Sequence, residues 1–243
     1  MQENSDCVMC GYVREYPERS ISTSLFEQDF TYDKEDSEKL IHRRIVGLTE
    51  KELRNPQCID NLSSFCMKLY RREIAQKGLI ISERIIGTSE DTIFNLYALE
   101  DCKISYVNKC FYHYRKENAQ SITTAYKPDL SEKWDIMYKK IKEYIEKSGK
   151  CEEYRVPFMN RVACGMIGLG LNEISSQDRF AAKTKRIRKI IHKPLYMEAF
   201  QQLDISFCDF KWKVFFIFCK NKAAVPLTSL LIVMNYLRSR SNL

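Results

Sequence analysis

The stretch SEDTIFNLYALEDCKISYVNKCFYHYR, residues 89–115, decides the fold class. Ser89 stands where a helix N-cap belongs. Glu90 and Asp91 follow in the first turn, where the positive end of the helix dipole favours acids. Ile93, Phe94 and Tyr97 then recur at helical spacing and predict one apolar face. The pattern changes at KISYV, residues 103–107, whose alternation predicts a strand, and CFYHYR, residues 110–115, predicts another. A helix followed at once by strands predicts an α/β domain.

Working outward, residues 7–14 are rich in Val, Met and Tyr and predict a strand. A polar stretch follows, through the acidic run Asp33, Glu35, Asp36 and Glu38, and then short helices to about Asn61. Residues 65–70 read as a strand or a buried turn, residues 71–77 as a helical segment, and 79–86 as a further strand candidate. Beyond residue 130 the character changes. Trp134, Met137, Tyr138, Ile141 and Ile145 predict a helix that Gly149 closes. Residues 156–171 predict a second, with Pro157 near its start. Ser175 and Asp178 resemble a capping box for a third helix, with Phe180, Ile187 and Ile191 on one side. The organisation expected is an α/β part over residues 1–130 and a mainly α-helical part over 131–243.

Charge divides at the same place. Residues 1–130 hold 18 Lys and Arg against 21 Asp and Glu, a net of −3, while residues 131–243 hold 21 against 11, a net of +10. A basic C-terminal half fits an anionic membrane surface or a nucleic acid. The dense run Lys183, Lys185, Arg186, Arg188, Lys189 and Lys193 lacks interleaved aromatics, which argues against nucleic acid. Ten cysteines scattered among apolar neighbours read as small buried hydrophobes of a reducing cytoplasm. Cys7 and Cys10 form a lone CxxC with no second pair, so no zinc site is expected. The polar, acidic start carries no signal-peptide pattern.

Near the C-terminus, Trp212 and the run Val214, Phe215, Phe216, Ile217 and Phe218 sit among lysines, followed by 15 uncharged residues, 223–237. That is short of the roughly 20 apolar residues a membrane span needs, and Pro226 interrupts it. Two readings stay open: a helix pair lying in a membrane interface, on the cytoplasmic face, or a helical hairpin packed on the core.

Three stretches together resemble the family 2 glycosyltransferases of bacterial capsule and exopolysaccharide synthesis. FCMKLYRRE, residues 65–73, is similar to a KLYRRE segment of that family, with Cys66 where an aromatic is common. SEDTIFN, residues 89–95, resembles its ED-x-x-F-N motif, and YVNKCFYHYRKENAQSIT, residues 106–123, its Y-x-YR…SIT segment. DCVMCGYVREY, residues 6–16, resembles the strand beyond the family's metal-binding motif. The likeness covers about residues 5–145 and implies the C-terminal part of a GT-A α/β domain. Such enzymes open with a VSVIIPVYN-type strand and carry an Asp-x-Asp motif for a divalent Mg or Mn ion; this sequence holds neither. The expectation is a truncated or split enzyme whose donor site lies on a separate donor-binding chain or is lost.

The resemblance implies transfer of a sugar from a nucleotide-sugar donor to a glycan or lipid-linked acceptor. Inverting transfer needs a carboxylate to take the acceptor proton, and the resemblance assigns that base to Asp91, with Glu90 orienting a substrate beside it. Lys68, Arg71, His113 and Arg115 are candidates for contact with phosphate or acceptor hydroxyls, against plain surface solvation. His42 and His192 carry no signal. The rival reading, from another class, is a non-catalytic interaction protein that docks on membrane-bound polysaccharide machinery.

Overall fold

The computed structural model describes residues 4–115 and 125–241. Mixed α/β structure is confirmed. The chain gathers into two compact units. Met1–Val46, Asp60–Arg84 and Ser89–Thr124 form the first, and Gly47–Ile59, Ile85–Thr88 and Ala125–Leu243 form the second. Besides the helical part beyond residue 125, the second unit therefore includes two short pieces from the α/β half of the sequence.

The first unit is built on β1 (Cys7–Tyr16), whose alternation buries Cys7, Met9 and Val13. Beside its C-terminal half lies β2 (Arg19–Thr23), antiparallel; β3 (Phe30–Tyr32) follows in sequence. A helical passage comprises α1 (Lys34–Ser37), a π-helical turn over Glu38–His42, and α2 (Arg43–Val46). His42 is fully buried there, its Nε2 2.8 Å from the Leu96 carbonyl oxygen, as a satisfied core histidine. Strand β4 (Lys68–Tyr70) pairs antiparallel with Cys7–Met9, followed by α3 (Arg72–Ala75) and α4 (Glu83–Ile86), whose last two residues are counted with the second unit. Residues 79–86 thus hold a helical turn and no strand: Ile80 and Ile85 are exposed, so the apolar run has no sheet face to fill.

Helix α5 (Glu90–Ala98) starts where expected, and Ile93 and Phe94 are buried. Ser89 occupies the N-cap position in the left-handed region (φ 67°) and makes no capping hydrogen bond. The two strands expected after it are one, β5 (Ile104–Arg115), parallel to β1 along its length. A bulge reconciles the lengths: Cys10 pairs with Val107, Gly11 with Cys110 and Tyr12 with Tyr112, leaving three β5 residues unpaired. Strand β3 closes the other side of β5, giving the order β2-β1-β5-β3. Cys7, Met9, Ile104 and Tyr106 share the buried face.

The second unit is helical. Helix α6 (Leu130–Ser148) buries Met137, Tyr138, Ile141 and Ile145 and ends at Gly149, whose φ of 72° is the left-handed C-cap conformation. Helix α7 (Cys151–Ser175) is longer than the sequence suggests, with Pro157 inside it. Its glycines are packing devices. A Cβ on Gly165 would meet Tyr138 Oη at 2.1 Å, and one on Gly168 would meet the Trp134 ring at 2.9 Å. The segment Gly47–Ile59 is stapled to α7. Asn160 Nδ2 donates to the Leu48 carbonyl at 2.8 Å, Arg161 Nη2 reaches the Ile59 carbonyl at 3.3 Å, and Gly47 lies directly against Pro157.

Helix α8 (Phe180–Ile191) begins after Arg179, so the capping box expected at Ser175 is not used. Ser175 instead ends α7, its hydroxyl donating to the Asn172 carbonyl at 2.7 Å. The basic run of α8 is tied into its own unit. Arg186 holds the buried Glu173 and reaches Asp178 at 2.9 Å, Lys189 pairs with Glu132 at 3.0 Å, and Lys193 with Asp135 at 2.7 Å. Helix α9 (Pro194–Gln202) opens with its proline at the first turn. Helices α10 (Phe210–Lys220) and α11 (Ala224–Ser241) complete the unit; α10 buries Trp212, Phe215, Phe216 and Cys219. Among the described residues no helix is long and apolar enough to cross a membrane.

Candidate functional site

The first turn of α5 presents Asp91 to the turn that precedes β4. Its Oδ2 accepts the Phe65 backbone N–H at 3.0 Å, and the Ser64 hydroxyl bonds the same carboxylate. Burial raises the Asp91 pKa above its ordinary value, and these hydrogen bonds and the charge of Lys68 offset the rise only in part. Asn95, one turn along, is buried and fixes the turn. Its amide donates to the Ser63 carbonyl at 2.6 Å, and its Oδ1 accepts from the Tyr70 hydroxyl at 2.7 Å. Two non-glycine residues in the left-handed region precede the carboxylate in sequence, Met67 and Ser89, each with φ 67°. Such backbone strain gathers at functional sites.

Lys68 turns its ammonium group inward, donating to the carbonyls of Leu62 at 2.9 Å and Ser64 at 2.5 Å. Burial lowers its pKa to about 8, and Asp91 acts in the opposite direction. An unfolded chain, with the ordinary value of 10.5, then binds the proton more tightly than the folded one. Stability should rise with pH from about 8 to 10.5, and Lys68→Met should flatten that rise relative to the parent. Urea unfolding at a series of pH values measures it; parallel curves for variant and parent would place the ammonium in water.

The other expected residues are placed differently. Arg71 is locked onto the start of β1, its Nε donating to the Ser5 carbonyl at 2.8 Å, with Asp6 at 3.9 Å. His113 and Arg115 are exposed at the end of β5, and in register His113 lies beside Val13 and Arg115 beside Glu15. The His113 Nδ1 is 2.6 Å from Glu15 Oε1, and Glu15 is held below its usual pKa by Ser20 first and His113 second. Glu90 lies partly exposed in the first turn of α5. The structure therefore brings Asp91 and Lys68 together and gives Arg71, His113 and Arg115 local partners or solvent.

Opposite the His113 face, the sheet carries a row that the sequence reading missed. Register puts Tyr12 beside Tyr112, Arg14 beside Tyr114 and Tyr16 beside Arg19 on one face, all four tyrosines partly exposed. Arg14 donates to the Tyr12 hydroxyl at 2.6 Å, and Arg19 lies over the Tyr16 ring at 5.1 Å. The Tyr112 hydroxyl bonds the Cys66 thiol, which raises the Tyr112 pKa. The segment 64–66 thus touches the carboxylate through Phe65 and the tyrosine row through Cys66. The period-two spacing of Tyr12, Arg14 and Tyr16, and of Tyr112 and Tyr114, was the available signal.

A divalent ion is implied by the resemblance, and the residues present do not suit one. The charge next to Asp91 is an ammonium, and among the described residues no three His, Cys, Asp or Glu side chains gather as a metal site. What the site offers is a half-buried carboxylate, an inward-facing ammonium and a row of phenol rings. Protein-family models, curated proteins and solved structures were compared with the chain, and none of the three comparisons gives a match.

Proposed function

We propose that this chain supplies the acceptor side of an inverting glycosyl transfer, on the C-terminal part of a GT-A-type domain. The observation that carries the reading is Asp91: a carboxylate at a helix start, part-buried, raised in pKa, and held by the Phe65 N–H. A base with a pKa moved towards neutrality takes a proton more readily than an ordinary surface acid. An acceptor hydroxyl gives its proton to Asp91 as its oxygen bonds the anomeric carbon; the bond from that carbon to the donor's diphosphate breaks, and the diphosphate leaves with the electron pair. Lys68 keeps positive charge beside the carboxylate and so maintains the ionised, proton-accepting form. The tyrosine row suits saccharide rings, since a phenol offers an apolar face for ring C–H groups and a hydroxyl for hydrogen bonds. Donor binding belongs to residues outside this sequence.

The test is transfer from UDP-, GDP- and dTDP-sugars with manganese to lipid-linked saccharides, using the chain with and without a donor-binding chain. Transfer that disappears in Asp91→Asn supports the reading; none under any pairing sinks it. The isolated chain, titrated calorimetrically with the same nucleotide-sugars, is expected to show no micromolar binding, about −8 kcal/mol. Such binding would put the donor site within this sequence and overturn the division of labour.

A further inference from the structure

Helix α11 has one side buried and one side open. Ala224, Leu227, Thr228 and Leu231 are buried, and Leu231 fills the space left by Gly170 of α7. On the open side stand Val225, Ile232, Val233, Tyr236 and Leu237, with Val233 53% and Leu237 59% exposed. Offsets of 7, 8, 11 and 12 residues from Val225 place them on one stripe of the helix. Apolar side chains gathered on one exposed side, broken only by Ser229 between Val225 and Ile232, mark a surface that is covered by something.

The charges around the stripe say what covers it. Lys220 and Lys222 precede its N-terminal end, and Arg238 and Arg240 stand exposed at the other. Residues 210–241 contain six Lys and Arg and no Asp or Glu. A second copy of the chain, packed stripe to stripe in either direction, would set cations against cations at both ends. A layer of lipid phosphates meets both groups favourably. The helix has 18 residues, about 27 Å, enough to lie along a surface.

We propose that the open stripe of α11 seats this chain on an anionic lipid bilayer, with Val225, Ile232, Val233, Tyr236 and Leu237 facing the acyl boundary and the flanking cations at the phosphates. Of the helix pair that the sequence suggests, only the second helix offers these lipid-facing residues. Phe215 and Phe216 of the 214–218 cluster are core residues, so the attachment is tested by substitutions on α11. The proposal is independent of the glycosyl-transfer reading.

The full chain is sedimented with vesicles of phosphatidylcholine alone and with a quarter phosphatidylglycerol, beside the double variant Val233→Asp with Leu237→Asp and the double variant Arg238→Gln with Arg240→Gln. Both pairs are exposed, and their circular dichroism and unfolding midpoints should match the parent. The parent should bind the anionic vesicles. The aspartate pair should lower partitioning at least about tenfold, and the glutamine pair should remove most of the preference for phosphatidylglycerol. Absence of parental binding, or equal binding by the aspartate pair, overturns the proposal. So does a parental dimer in sedimentation velocity that the aspartate pair dissolves, since the stripe would then be a self-interface.

Discussion

Replacing Asp91 with asparagine should remove about 10²–10⁴ of the transfer rate while leaving the fold as stable as the parent or more so. The two effects have one cause. Burial raises the Asp91 pKa in the folded chain, so the folded state holds the proton more tightly than the unfolded state does. The stability this gives is present below the ordinary carboxylate range and is lost as pH rises through the raised value. At neutral pH the charged carboxylate therefore costs folding free energy. Asparagine removes the charge and keeps an oxygen for the Phe65 N–H. Chemical unfolding at pH 7 should show a midpoint unchanged or higher. A residue that merely fixes the helix start would give the reverse, lost stability with transfer intact.

Gly47→Ala should have the largest effect on stability. A Cβ there would sit 1.8 Å from the Pro157 carbonyl oxygen and 2.5 Å from its carbon, both backbone atoms of a buried helix. No rotamer change relieves a clash with main chain; either α7 or the Gly47–Ile59 segment has to move. Overpacking against main chain costs about 3 kcal/mol, the upper end of its usual range, which lowers the melting temperature by about 10 °C in a chain of this size. Gly149→Ala makes the comparison: its Cβ meets nothing within 4 Å, leaving only the strain of a φ of 72°. A Gly47→Ala chain melting within a degree or two of the parent would mean that α7 is not where the structure puts it.

The strong periodicities were legible. The α6 row from Trp134 to Ile145, its Gly149 stop, and the α5 start with its acids all fall where the sequence puts them. What misled was local chemistry overruled by partners. Ser175 looks like a cap because Ser and Asp stand three apart, yet its hydroxyl serves the end of the preceding helix. The residues 103–107 and 110–115 look like two strands because the alternation breaks, but pairing with β1 carries one strand across the break by a bulge. Strands β2 and β3 went unseen because short, exposed edges such as RSIST have no apolar alternation to betray them.

At the candidate site, the placement of Asp91 in a helix first turn was legible because it is a local feature. The roles of Lys68 and Arg71 were not. Which carbonyl an ammonium or guanidinium meets is settled by the tertiary path of the 62–65 turn and by Ser5. The tyrosine row depends on the parallel register of two strands about 100 residues apart, a distance over which sequence periodicity says nothing. The segment 116–123 that completes one resembling stretch lies outside the described residues.

The staple between Gly47–Ile59 and α7 sets a timetable for synthesis. Asn160, which holds the Leu48 carbonyl, follows it by 112 residues. At about 5–20 residues per second the ribosome needs roughly 6–22 seconds to deliver it. Through that interval the Gly47–Ile59 segment, with Leu53 destined for the core, has left the exit tunnel without the helix that receives it. A nascent chain in that condition exposes apolar surface, and slow codons between residues 60 and 150 would lengthen its exposure rather than help it fold.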